Sequence, residues 1–253
     1  MEFRMPNKDI LTHIFNPKLR SDLHSGLAVG LETLLDYRRL AMLCSAVRAT
    51  RTIKGDVIEF GTFRGGSAGV ILQNLAKDKV LHVFDSFAGM PEVAPQDNFH
   101  KKGDFAGTDE KRVFDGLSAL GENFEMHVGY FEETLPAFSS RADQTYSLVH
   151  IDADLYESIL TALEHCVPRM DKDSIIIFDD YGSPTCVGAR QAVDEFFLER
   201  PESIVGLTGP QYATVIGGGD ARERLFLHLP FGLRFGAFRE FLFRPDSVTE
   251  SDG

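Results

Sequence analysis

The chain has 253 residues, 43% hydrophobic and 25% charged, with three cysteines and a formal net charge of −12. That length and balance fit one large α/β domain with a substantial core, while the acidic balance argues against nucleic acid, whose phosphates need a basic face. Sparse, odd-numbered cysteines argue against a disulfide framework. No apolar run reaches membrane-spanning length, and the charged, proline-broken start "MEFRMPNKDILTHIFNPKLR" is no signal peptide, so a cytoplasmic protein without a membrane partner is expected.

In chain order, residues 28–51 are predicted to form a helix with Leu40, Leu43, Cys44 and Val47 on one face and Gly55 just beyond its end. Strands and helices then alternate. "DVIEF" (56–60) is a strand, 67–77 a helix and "VLHVFD" (80–85) a strand; 109–120 is a helix and "FEMHV" (124–128) a strand. A short helix (132–138), the strand "YSLVHI" (146–151), a helix (155–167), the strand "SIIIF" (174–178) and a helix (187–199) follow, and "SIVGL" with "YATVIG" closes the series as an antiparallel pair. Such alternation predicts a doubly wound, mostly parallel sheet covered on both faces. The β-branched run "SIIIF" suits a strand buried on both sides.

Two segments break the pattern. Residues 86–108 form a long connection without periodicity directly after a strand, the position of a lid. The segment 221–246 carries five arginines, two glutamates and many phenylalanines, and is expected to pack against the domain or a second subunit. Three parts are therefore expected: an N-terminal helical segment 1–50, a core 51–219 and a Phe/Arg-rich extension 220–253.

The chemistry gathers at strand ends. "EFGTFRGGS" (59–67) lies where the first strand gives way to a helix, and its glycines allow a tight turn and close approach by a ligand. The spacing departs from G-x-G-x-x-G, and Glu59, two residues before Gly61, would repel a pyrophosphate. It suits a ligand bearing an ammonium and a carboxylate, such as the methionine end of S-adenosylmethionine. Asp85 ends the second strand about 20 residues beyond the glycine loop, where nucleotide-binding folds hold a ribose diol. Two further strands end in paired acids, "HIDADLYES" with Asp152 and Asp154 and "FDDYG" with Asp179 and Asp180.

If the fourth strand lies beside the first, Asp152 comes near Glu59. Positions i and i+2 share a face, so Asp152 and Asp154 are expected to point the same way. Four carboxylates in one cleft repel unless a cation sits among them, and oxygen-only donors select a hard ion, Mg²⁺ or else Mn²⁺ or Ca²⁺. Asp154 alone would equally serve as cap to the helix at 155. "GYFEETLP" (129–136) could pack on an adenine; His127 and His150 read as core residues, and Lys101 and Lys102 as solvated.

The motifs "GDVIEFGTFRGGS", "VFDSFAGMP", "HIDADLYES", "IIIFDDYG" and "ARQAVDEFF" together resemble the macrocin/mycinamicin-type (TylF/MycF-like) sugar O-methyltransferases, over roughly residues 50–200. The resemblance implies a class I methyltransferase fold, Rossmann-like, with seven strands of which a closing one is antiparallel. It also implies S-adenosylmethionine and Mg²⁺ as cofactors. By position, Asp152, Asp179 and Asp180 look like the family's metal ligands and Asp154 like its general base. Glu59, Gly61, Ser67, Asp85 and Tyr130 fall where the family contacts its cofactor, and Phe60, Thr62, Ser86, Gly129 and Asp152 complete that set. The implied substrate is a glycosylated small molecule, methylated on a sugar hydroxyl by a homo-oligomeric enzyme. Two rivals are a catechol-type enzyme, which commonly carries a lysine shortly after the first metal acid where "DADLYES" has none, and a non-catalytic binder of the cofactor.

Overall fold

The computed structural model describes residues 29–139 and 144–228; residues 1–28 of the N-terminal segment and 229–253 of the extension lie outside them. Seven strands, β1 (Asp56–Phe60), β2 (Leu81–Asp85), β3 (Phe124–Val128), β4 (Tyr146–Ile151), β5 (Met170–Phe178), β6 (Val205–Thr208) and β7 (Gln211–Val215), form one sheet in the order β3-β2-β1-β4-β5-β7-β6. The first five are parallel; β7 pairs antiparallel with both β5 and β6. The expected neighbours β1 and β4 are paired, with Phe60 opposite Ile151. β5 begins at Met170, four residues earlier than the apolar run suggests, because the polar Asp171, Lys172 and Asp173 separate that buried methionine from the run.

Helices cover both faces. On one side α1 (Tyr37–Ala49), α2 (Gly66–Asn74), α3 (Glu110–Ser118) and α7 (Ala221–His228) meet Val57, Leu81, Leu148, Ile175 and Ile177. On the other, α4 (Phe131–Ser139), α5 (Tyr156–Cys166) and α6 (Val187–Phe197) meet Ile58, Phe84, Val149, Ile176 and Phe178. Successive residues of "SIIIF" thus feed opposite cores, which is why that strand shows no alternation. Leu225 of α7 is buried with α1's face, so the start of the extension packs back on the domain.

The predicted 28–51 helix is shorter than its periodicity suggests. Asp36 stands at the N-cap and its side chain accepts from the backbone N–H groups of Arg38 and Arg39 at 2.8 and 3.0 Å. The residues before it are committed elsewhere: Glu32 forms a β-bridge with Gly65 at the glycine loop. Among the described residues no helix is long and apolar enough to cross a membrane.

One buried histidine couples this fold to pH. His165 on α5 lies between the Tyr146 hydroxyl (2.9 Å) and the Ser139 hydroxyl (3.0 Å). Burial, reinforced by the Arg169 charge, pulls its pKa down to about 4. The unfolded chain, with an ordinary histidine near 6.5, then takes up a proton that the folded state refuses, so stability falls as pH drops from about 6.5 to 4. After allowance for solvent screening the loss attributable to this ring is about 2 kcal/mol. Urea unfolding at a series of pH values should show a shallower slope across that window in His165→Gln than in the wild type; parallel slopes would refute the assignment.

Candidate active site

The sheet reverses its winding between β1 and β4, and the loops leaving those two strands open a crevice at their carboxyl ends. The loops depart side by side: the Gly61 N–H donates to the Phe84 carbonyl and the Asp152 N–H to the Phe60 carbonyl, both at 2.9 Å. Gly61 has φ +81°, and a Cβ there would lie 1.9 Å from the Asp152 carbonyl oxygen, so only glycine lets the strand ends approach. Beyond it the chain enters α2 through Gly65, with no side-chain cap on the helix.

Asp85 organises this loop. One carboxylate oxygen accepts from Thr62 and Phe63 (2.9 and 2.8 Å), the other from Phe87 at 2.8 Å. It therefore ties the glycine loop to the start of the 86–108 connection while lining the cleft. Burial raises its pKa against those hydrogen bonds.

The cleft opens to solvent at these strand ends and is lined from the glycine loop, the 86–108 connection and the acidic ends of β4 and β5. Of the predicted site residues, Gly61, Thr62, Ser67, Asp85, Ser86, Tyr130, Asp152, Asp154 and Asp180 line it; Glu59, Phe60, Gly129 and Asp179 do not. Phe60 is a core residue, its ring against Phe84 and Phe131. Glu59 is fully buried and turned to the sheet, with Oε1 3.0 Å from His150 Nδ1. That oxygen faces an imidazole, while Oε2 keeps no hydrogen-bond partner. The His150 Nε2 lies 3.9 Å from Asp179. Burial opposes charge on this ring, but its interactions with Asp179 and Glu59 prevail and push its pKa up to about 9. The ring is thus strung between two carboxylates.

The acids converge as expected but by a different route. β4 ends at Ile151, so Asp152 and Asp154 do not share a strand face; Asp154 turns the chain with φ +57°. Nor does Asp154 cap the next helix, since Asp97 from the 86–108 connection accepts from Tyr156 N–H at 3.0 and 3.1 Å. One oxygen each of Asp152, Asp179 and Asp180 lies within 4.8 Å of the others. Asp179 is held by Arg39 of α1 and by Gln211 at 2.9 Å. Burial opposes its charge, but His150 and Arg39 hold its pKa low. Asp152 and Asp180 are pushed well upward, by burial first and then by the neighbouring carboxylates.

Asp154 stands beside this triad. Its N–H donates to Asp180 at 3.2 Å, its carboxylate accepts from the Cys186 thiol at 3.1 Å, and His100 Nε2 lies 3.9 Å away. Burial raises its pKa. Burial and the adjacent Asp180 and Asp154 also push the Cys186 thiol up, which keeps it a neutral donor.

The residues fit the groups that the sequence implies. The convergent donors are three carboxylates, all oxygen, the set that a hard dication takes. On the glycine-loop side, the Thr62 Oγ1 is buried without a hydrogen-bond partner, as expected where a ligand completes the site.

The sequence model of the macrocin-O-methyltransferase (TylF) family matches residues 13–202. The chain belongs to that family. The match begins at residue 13 and so takes in α1. A demethyldecarbamoylnovobiocin O-methyltransferase of Streptomyces niveus is 28% identical over 181 residues, 65% of this chain and 67% of that protein. An O-methyltransferase of Streptomyces olivaceus that acts at the 4′ position of a rhamnosyl-tetracenomycin is 28% identical over 180 residues, 65% and 67% of the two chains. The O-methyltransferase NovP superposes with a TM-score of 0.63 over 72% of this chain and 81% of its own, at 24% identity. The seven-stranded sheet with its antiparallel β7 is accordingly that of the class I O-methyltransferases.

Four contributors escape sequence reading. Arg39 sits in an ordinary helix pattern and Gln211 at a strand start, and nothing local marks either. His100 and Asp97 lie in the aperiodic connection, whose position after β2 flagged the loop but not the residues.

Proposed function

We propose that this macrocin-family methyltransferase moves a methyl group from S-adenosylmethionine to a sugar hydroxyl of a glycosylated small molecule. Asp152, Asp179 and Asp180 would hold Mg²⁺, and Asp154 would act as general base. The observation that carries the reading is the convergence of Asp152, Asp180 and the buried Asp179, with Asp154 beside them, in the cleft that Gly61 also lines. The rhamnosyl acceptor of the Streptomyces olivaceus relative supports a sugar hydroxyl as the target.

S-adenosylmethionine supplies an electrophilic methyl and Mg²⁺ supplies Lewis acidity toward the acceptor oxygen. The chain's own residues do the rest. Asp154, with its pKa raised by burial, is the better base for an aliphatic hydroxyl, whose proton it takes as the oxygen is methylated. Its left-handed backbone fixes the carboxylate between the triad and Cys186, so proton acceptor and metal ligands stay separate. Met90, Pro91 and Phe105 of the long connection give the cleft an apolar wall that excludes water and helps to align the acceptor for in-line attack.

Asp154→Asn is expected to lower kcat by about 10²–10⁴-fold, while leaving calorimetric binding of S-adenosylmethionine and of Mg²⁺ near wild type. The assay is methyl transfer to a panel of glycosides, read by mass spectrometry. Wild-type turnover in Asp154→Asn would remove it as base, and turnover unaffected by chelator would remove the metal.

A further inference from the structure

A second group of metal-ligating side chains lies away from the cleft, on the edge of the sheet. His82 on β2 is opposite Glu125 on β3, and Phe84 is opposite His127, which places both histidines and the glutamate on one sheet face. His82 stands three residues before Asp85, so it sits roughly 10 Å down the strand from the cleft. His127 Nε2 approaches His82 Nδ1 to 3.4 Å, and Glu125 Oε2 lies 3.7 Å from His82 Nδ1 and 3.9 Å from His127 Nε2.

Direct hydrogen bonds among the three residues account for only one side of this triangle. Two imidazoles sharing a proton could explain the 3.4 Å contact. The carboxylate, however, is beyond hydrogen-bonding reach of both rings. The three separations instead approach the edge of a zinc tetrahedron, about 3.3 Å for ligands bound near 2.0–2.1 Å.

The surroundings provide a second, independent sign. The other nitrogen of His82, Nε2, faces Asp56 Oδ2 at 3.4 Å. That carboxylate is itself fixed, its Oδ1 accepting from Val80 N–H at 2.8 Å. A carboxylate behind a histidine is the arrangement that orients metal-bound imidazoles and strengthens them as ligands. Phe84 stacks on His127 at 4.3 Å between ring centroids, and Phe138 packs edge-on or tilted against both histidines. The rings are thus held in place by apolar walls, while the Glu125 side chain, 44% exposed, leaves the site open from solvent.

We propose that His82, Glu125 and His127 form a site for a borderline transition-metal dication of the Zn²⁺ class, with Asp56 as the carboxylate that orients His82. Two imidazoles and a carboxylate select such an ion over Mg²⁺, which favours all-oxygen donors. The site staples the edge strand β3 to β2 and is chemically distinct from the oxygen-only triad in the cleft.

The test titrates Zn²⁺, and Co²⁺ as its spectroscopic stand-in, into the full-length, chelator-stripped Asp152→Asn protein, in which the cleft triad is broken. One equivalent of Zn²⁺ should bind, Co²⁺ should show four-coordinate visible bands, and thermal stability should rise with the metal. Adding His127→Gln or Glu125→Gln, both at the partly exposed edge, should abolish that equivalent, and Asp56→Asn should weaken it by about 10–100-fold. Metal-free unfolding temperatures near that of the parent would verify that these variants fold. The proposal is overturned if the Asp152→Asn protein binds no zinc. It is equally overturned if the equivalent survives both edge substitutions, which would place the zinc elsewhere, for example at His100, Asp154 and Cys186.

Discussion

Asp152→Asn is expected to make the metal-free protein more stable and nearly inactive. Asp152 faces Asp179, Asp180 and Asp154, and burial together with those like charges pushes its pKa well upward. A carboxylate whose folded pKa exceeds its unfolded value costs stability once pH rises through that interval, so at neutral pH its charge opposes folding. Asparagine keeps the shape and removes the charge. The unfolding temperature in chelator should therefore rise above that of the wild type.

The effect on function has the opposite sign. The triad loses one of its three carboxylate ligands. Lewis-acid stabilisation of a developing alkoxide amounts to several kcal/mol, so turnover should fall by about 10³-fold or more. Calorimetry should show Mg²⁺ binding lost, and added Mg²⁺ should stabilise the wild type but not the variant. A variant that is less stable without metal would mean that Asp152 serves the fold. One that keeps its Mg²⁺-dependent stabilisation would mean that the ion sits elsewhere.

The parts of the fold that could be read from the sequence are those governed by local periodicity. The β-branched runs ending in Phe60, Ile151 and Phe178 announce buried parallel strands, because both faces of each must be apolar. The acids at their ends could be read for a related reason. A charged pair directly after a buried run has no place in the core, so it must stand at the sheet's rim, where ligands bind.

What escaped is what depends on tertiary approach. No local pattern says that α1 delivers Arg39 onto Asp179, or that Gln211 reaches the same carboxylate from β7. Glu59 was visible as a strand-end acid, but its rotation toward His150 follows from the pairing of β1 with β4, in which the two residues are partners. Asp154 lines the cleft, but not through a strand face shared with Asp152. The alternation rule assumes extended backbone, and the chain has already left β4 when it reaches the φ of +57°.

Gly61→Ala should be the most damaging of the conservative substitutions. Two costs combine at this position and can be separated by comparison with Gly103. Both glycines have positive φ, +81° and +84°. At Gly103 a Cβ would meet nothing within 4 Å, so Gly103→Ala carries only the left-handed backbone penalty, about 1–2 kcal/mol. At Gly61 the new methyl would sit 1.9 Å from the Asp152 carbonyl oxygen and 2.8 Å from its carbon. Backbone cannot rotate away as a side-chain tip can, so the ends of β1 and β4 must part. The hydrogen bond from Asp152 N–H to the Phe60 carbonyl lies at that same point. We expect Gly61→Ala to cost about 3–5 kcal/mol in urea unfolding, beyond the Gly103→Ala value. Because the same displacement moves Asp152 relative to the Thr62 side of the cleft, activity should drop by about 10²-fold or more in whatever fraction stays folded. Equal losses in the two variants would show that the close approach of the strand ends contributes nothing, and that Gly61 serves only its own backbone angle.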